Sequence, residues 1–266
     1  MNADAIKTLT TDALDKLAAL LDEGHSDRLT TLLKTMARFH KYSWHNVFLI
    51  AAQRPDATRV AGFQTWRSLG RCVRRGEKGI AILAPIVKQR GVDDASRDAD
   101  APNPGVVGFR AVHVFDIAQT DGEPLPEVAH ASGDPGDRIT AIRGAIVASG
   151  IEIEYADELD GPLGVSLGGR IKTLRGLPPA EEFMVLAHEW AHELLHRNGD
   201  RPGRDTRELE AEAVAFVVGE AVGLDAGQAS RDYVQLYRGD REALEASLDR
   251  IQRTAATILN ALDGTS

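Results

Sequence analysis

A single cysteine, Cys72, occurs in 266 residues, so the chain cannot close an internal disulfide. That usage fits a reducing compartment. No stretch approaches the ~18 consecutive apolar residues that a membrane-spanning helix needs. The N-terminal segment MNADAIKTLTTDALDKLAALLDEG has acids throughout and no Lys/Arg head before an apolar run, so no signal peptide is read there. The expectation is a soluble, cytoplasmic protein with no membrane partner. Aromatics are scarce at 5%, while 43% hydrophobic and 27% charged residues are ordinary globular values. They exclude a fibrous or wholly disordered chain.

The net charge of −9 hides a segregation. From Arg28 to Arg90 there are 13 Lys and Arg against two acids, Asp56 and Glu77, which leaves −20 on the other 203 residues. Such asymmetry suggests a basic binding module joined to an acidic remainder. A basic face that is merely solvated gives the same count.

Apolar spacing predicts a helix over 5–23, broken near Thr10 and Thr11, and a second from about Leu29 to His40 with Asp27 as cap. A third, 43–53, ends before Arg54-Pro55. A short helix or turn fits 62–69. A hairpin fits 73–85, with Arg74 to Gly79 as a flexible turn and Ile80 to Leu83 as a strand. Residues 91–105 are polar and read as a loop. Val106 to Phe115 alternates as a strand that can pair back with the hairpin. Prolines and glycines between Asp121 and Asp137 mark a boundary. Beyond it we read a helix at 139–149, strands at 151–155 and 169–174, and helices at about 178–197, 205–223 and 242–262.

His188-Glu189-Trp190-Ala191-His192 spells HExxH. On a helix, residues i and i+4 share a face, so both imidazoles reach one ion. Glu189 then stands where it can deprotonate a metal-bound water. The flanking apolar residues bury this helix, and burying two histidines and a glutamate without a ligand is costly. A catalytic zinc needs a third protein ligand. Position 198 is Asn198, so a third histidine at that spacing is excluded. The next helix offers Glu208, Glu210 and Glu212. Glu212 is preferred, because Ala213 and Ala215 allow close helix approach. Glu208 fits a capping box with Asp205 and is the second choice. Glu210 is expected to face solvent. His196 is read as packing or as support to the site, strand 169–174 as an edge for an extended peptide, and Tyr233 as a residue that can approach the metal.

Six of the 14 aromatics fall between 39 and 66: Phe39, Tyr42, Trp44, Phe48, Phe63 and Trp66. Cations follow at Arg67, Arg71, Arg74, Arg75 and Lys78. Rings that stack on bases and cations that follow phosphates are what a single-strand binder needs. Phe39, Phe48 and Phe63 are assigned to a core. Tyr42, Trp44, Trp66, Arg71, Arg74, Arg75 and Lys78 are the nucleic-acid candidates. The turn is not a P-loop, because its glycine spacing and ending are wrong.

Several of these runs resemble a known family. They are Phe39 to Asn46, Ala52 to Thr58, Val60 to Trp66, Leu69 to Arg71, Val73 to Ile80 and Val114 to Thr120. Together they resemble the N-terminal single-stranded-DNA-binding domain of ArdC-type antirestriction proteins. The HExxH half is similar to the zincin-type metallopeptidase domain that follows it in that family. The Glu212 to Phe216 run is also similar to ImmA/IrrE-type peptidases, where the matching glutamate is a zinc ligand. The resemblance implies an α+β chain with a small mixed domain at 1–125, a linker at 126–137 and a mostly helical zincin-like (gluzincin) domain at 138–266. It implies one Zn2+ per chain on His188, His192 and Glu212, with Glu189 as general base. The implied protein is borne by a mobile element or phage and protects incoming DNA. Its expected partners are single-stranded DNA and a protein substrate from a restriction system or host regulator. Two alternatives stay open: a non-catalytic DNA-masking protein with a structural or vestigial zinc site, and a cytosolic protease that cuts a host regulator.

Overall fold

The computed structural model describes residues 3–23, 27–87, 106–123, 134–159, 161–197, 202–224 and 240–264. The fold is α+β. The chain divides into two compact units. The first holds Met1–Leu14 and Phe48–Leu125, the second Asp15–Val47 and Pro126–Ser266. No helix among the described residues is long and apolar enough to cross a membrane.

Helix α1 (Ala3–Asp22) runs unbroken. The expected break at Thr10 does not occur, because the Thr10 hydroxyl donates back to the Ile6 carbonyl at 3.0 Å and needs no other partner. Helices α2 (Asp27–Arg38) and α3 (Trp44–Gln53) follow as the spacing predicts.

In the first unit, strands β1 (Val60–Gly62), β4 (Val106–Asp116) and β3 (Ile80–Val87) form an antiparallel sheet in the order β1-β4-β3. Ile80 faces Val114, and the register shifts between Ile86 and Val87. The edge of β3 is met by a side chain: Gln53 donates to the Ala81 carbonyl at 2.8 Å and accepts its N–H at 2.9 Å. Helix α4 (Phe63–Ser68) lies against this sheet.

The expected hairpin over 73–85 does not form. Strand β2 (Arg71–Val73) instead pairs with β5 (Thr120–Gly122) as a separate ribbon. The Arg74 N–H goes to the Gln119 carbonyl at 2.9 Å, which leads the chain away from β3. Only glycine fits at the end of β5: Gly122 has φ +143°, and a Cβ there would lie 2.4 Å from the Gly70 carbonyl.

In the second unit, β6 (Glu152–Ala156) runs parallel to β8 (Arg170–Leu174), and β7 (Gly164–Ser166) runs antiparallel to it. The order β6-β8-β7 makes β8 the central strand. This corrects the expectation that 169–174 forms an edge. The edge belongs to β7, three residues too short to read as a strand. Helices α5 (Arg138–Ala148) and α6 (Pro179–His196) pack on this sheet, and α7 (Arg204–Ala221) packs on α6. Helix α8 (Arg241–Gly264) covers α7, and α2 also packs on α7. Leu29, Leu32, Leu33 and Met36 lie on one face of α2 and are buried. Each such side chain contributes about 1.5–3 kcal/mol when fully buried. That pull takes residues 15–47 into the second unit, whereas the sequence placed all of 1–125 in the first domain. Gln252 of α8 completes the tie by donating toward the carbonyls of Phe39, His40 and Tyr42, at 3.4, 3.3 and 3.1 Å.

Candidate metal centre

Helix α6 begins at Pro179, behind Pro178 as N-cap, where a missing N–H costs nothing. Its buried side carries three carboxylates at helical spacing: Glu182, Glu189 and Glu193. Glu182 accepts two bonds from Arg143 of α5, at 2.9 and 2.6 Å, and one from the Tyr155 hydroxyl of β6 at 2.6 Å. Glu193 accepts from the Ser166 hydroxyl at 2.6 Å and from the N–H groups of Gly168 and Gly169 at 2.8 and 2.7 Å. It therefore pins the β7–β8 turn to α6. Burial pushes the Glu193 carboxyl up, but these bonds outweigh it and hold it below the usual carboxylate range. Sequence reasoning missed Glu182 and Glu193. The signal was there, since both share the apolar side of the helix with Glu189.

His188 and His192 project from α6 with their Nε2 atoms 3.1 Å apart. Glu208, in the second turn of α7, brings Oε2 to 3.6 Å from one and 3.4 Å from the other. Burial lowers both imidazole pKa values, that of His188 to about 4, helped by the neighbouring His192. Both rings are neutral at neutral pH, so lone pairs are available. Two lone pairs aimed at each other over 3.1 Å repel unless a proton or a cation lies between them. A tetrahedral ion with bonds of about 2.0–2.2 Å sets its donors roughly 3.3–3.6 Å apart. An octahedral ion at about 2.1–2.2 Å sets neighbouring donors roughly 3.0–3.1 Å apart. The observed spacings span both, so the donor set fits a metal ion of either preference.

Glu212, expected as third ligand, is not in this group; His188, His192 and Glu208 are the donors brought together among the described residues. Glu212 lies one turn further on, about 6 Å along the axis. The capping box that explained Glu208 is absent, because the N-cap is Gly203, two residues before Asp205, and makes no side-chain cap bond. Glu208 is thus released toward α6. Glu210, expected in solvent, is fully buried (0% exposed) and accepts from Ser247 at 2.7 Å and from Arg250. It occupies the side of α7 that packs on α8. Tyr233 lies outside the described residues.

Beside the donors, Glu189 is buried among like charges. Burial and then the charge of Glu208, with a lesser push from Glu193, outweigh an opposing bond from the Ser166 backbone and leave its carboxyl pushed up to about 7. A cleft of about 600 Å³ opens over these residues, walled by Gly164 to Gly168 on one side and the start of α7 on the other.

In the basic segment, the turn after β2 carries Arg74, Arg75 and Lys78, all exposed. It is not a loose tip. Arg74 pairs with Glu77 at 2.8 Å and with the Ala118 carbonyl, and Gln119 donates to Glu77 and to the Lys78 carbonyl at 3.0 and 2.9 Å.

Residues 4–115 match the family described as the N-terminal domain of the anti-restriction factor ArdC. Two crystal structures of the antirestriction ArdC protein from the R388 plasmid are similar to the chain, one metal-free and one Mn(II)-bound. Each is 19% identical and covers 96% of this chain and 98% of that one, with TM-scores of 0.54 and 0.53. The chain has the fold of these ArdC structures, and its residues 4–115 match the ArdC N-terminal domain. An uncharacterized protein of Bacillus anthracis is 25% identical over 98% of this chain and 52% of its own length. The chain therefore spans about half of that relative.

Within the ArdC-type N-terminal region, the structure reassigns several nucleic-acid candidates. Trp66 is 2% exposed, and its indole donates to the Phe115 carbonyl at 2.8 Å. Trp44 is 3% exposed and stacks on His45 at 3.9 Å. Arg71 is buried and spends its guanidinium on Thr120, Gly122 and Glu123, locking β2 to β5. These three hold the ArdC-type fold and do not present their side chains at the surface. Tyr42 is half-buried, edge-on to Phe39. Phe63, expected in the core, is 46% exposed, with Arg67 one turn on and also exposed. Asp116 accepts the N–H groups of Thr58 and Arg59, at 2.7 and 3.1 Å, so this part of the family pattern is structural.

Proposed function

We propose that the chain is a metal-dependent, peptidase-like antirestriction protein that also binds single-stranded DNA. The observation that carries this reading is the convergence of His188, His192 and Glu208 on one point, with buried Glu189 beside them at the cleft. The Mn(II)-bound ArdC structure supports a metal in such proteins. On ligand type we assign zinc, one per chain, with manganese as the competitor.

A bound divalent ion would supply a Lewis acid for a scissile carbonyl and an acidified water. His188, His192 and Glu208 would hold it. Glu189 takes a proton at its carboxylate and returns it to the departing amine. Glu193 keeps β7 against α6, and β7 offers its backbone to an extended chain. The protein substrate is a component of a restriction system or a host regulator, encountered in the cytoplasm.

For DNA, the exposed cations Arg74, Arg75 and Lys78 supply phosphate contacts. Phe63, with Arg67, is an exposed ring suited to stacking on a base. A DNA-masking protein with an idle metal site is the second reading, favoured by this exposed basic turn alone. Replacing Glu189 by Gln separates the two. We expect the variant to keep its metal and lose both proteolysis and protection. Full protection by a metal-loaded Glu189→Gln protein would establish masking.

A further inference from the structure

The cleft holds a second chemistry beside the metal donors. Arg204 and Arg207, from the first turn of α7, line it together with Arg197 from the end of α6. Arg197 lies 3.9 Å from Glu193. Among the described residues, no carboxylate lies within ion-pair distance of Arg204 or Arg207. The Nε of Arg207 is buried without a hydrogen-bond partner. Glu208, next in the chain, is turned to His188 and His192. His196 lines the same cleft but is only 5% exposed, its ring held between the Arg207 backbone and the Glu210 carboxylate. The nearest oxygen of that carboxylate stands 3.9 Å away. A buried donor without an acceptor, as the Nε of Arg207 is, is rare in folded proteins and asks for a ligand.

We propose that Arg204 and Arg207 form a subsite for a carboxylate of a bound peptide, so that the cleft selects acidic peptides. The proposal rests on the peptidase reading above and names its substrate class. A guanidinium fork matches a carboxylate with two parallel bonds. A peptide suits the site better than a nucleic acid for two reasons. The opposite wall is β7, which pairs with β8 along one edge and meets no strand on its other edge among the described residues. A run of phosphates would also have to pass Glu189, Glu193 and Glu208 in the same cleft, whereas one carboxylate meets only the cationic end. The carboxylate can come from an acidic side chain or from a peptide C-terminus.

The test is equilibrium binding to the full chain loaded with Zn2+, carrying Glu189→Gln so that peptides stay intact. Fluorescent extended peptides, acetylated and amidated, would differ only by Glu, Gln or Lys at one position, scanned along the peptide. A Gln peptide with a free C-terminus distinguishes the two carboxylate sources. At one position the Glu peptide, or else the free-terminus peptide, should bind at least about tenfold more tightly than its neutral match. Arg207→Gln should erase the preference, Arg204→Gln should reduce it, and Arg207→Lys should keep part of it, which rules out a folding artefact. Equal binding of acidic, neutral and basic peptides overturns the subsite and leaves the peptidase reading standing. Binding of no peptide overturns both. An oligonucleotide that needs Arg204 and Arg207, with no acidic preference among peptides, gives the arginines to DNA and overturns the proposal.

Discussion

Glu208 and Glu212 differ by one helical turn, and that turn decides the metal. Glu208→Ala should lower metal affinity by at least about 100-fold, while Glu212→Ala should leave metal content near one ion per chain. Metal analysis of the purified variants checks this. Loss with Glu212 and retention without Glu208 would reverse the assignment. Glu182 makes a different prediction, on stability. Burial pushes its carboxyl up, but the bonds from Arg143 and Tyr155 prevail and hold it below its ordinary value. The unfolded chain therefore takes up this proton first as pH falls. The clamp is fully present above the ordinary carboxylate pKa and is lost as pH drops through the lowered one. Glu182→Gln should cost about 2–3 kcal/mol at neutral pH, with the gap to wild type closing in acid. Parallel melting curves at pH 7 and pH 3 would show it. The paired histidines and Glu189 were legible because a fixed motif lies on one helix face. The grouping of Glu208 with them was not, because it depends on where α7 begins: with the N-cap at Gly203 and not two residues later at Asp205, Glu208 turns from a cap partner toward the paired histidines.

Among elements, β7 is set by a missing side chain. A Cβ on Gly164 would fall 2.5 Å from Val185 Cγ1 and 3.0 Å from Glu189 Cγ. Gly164→Ala should force β7 off α6, loosening the wall of the cleft and destabilising the protein by about 1–3 kcal/mol, the usual cost of overpacking. A variant as stable as wild type would show that β7 moves freely there. The long helices were readable from apolar spacing over several turns. The short strands β1, β5 and β7 were not, since three residues carry too little alternation to register. Their pairing partners lie far off in sequence, so the 73–85 region read as a hairpin although β2 and β3 join different sheets. Trp66 and Arg71 misled for a related reason: a ring or a guanidinium suits a binding surface and a hydrogen-bonded interior equally, and only the positions of the Phe115 and Thr120 carbonyls separate the two.

For the molecule as a whole, the basic segment makes the prediction. Arg75→Ala and Lys78→Ala should weaken single-stranded DNA binding at any sequence, each reducing the salt slope by about one. Phe63→Ala should weaken single strands more than duplex, whereas Trp66→Phe should lower the melting temperature more than it lowers affinity. Salt-dependent titrations beside melting curves separate these effects, and an unchanged slope in the cation variants would remove the turn from the interface. The charge asymmetry foretold a basic region, but packing divides it, since residues 15–47 go with α7 and α8. That division also sets a timetable. Helix α2 leaves the ribosome about 170 residues before α7 begins. At roughly 5–20 residues per second, its apolar face waits on the order of ten to thirty seconds for its partner. Throughout that interval the nascent chain is a natural client for chaperones that hold exposed apolar helices.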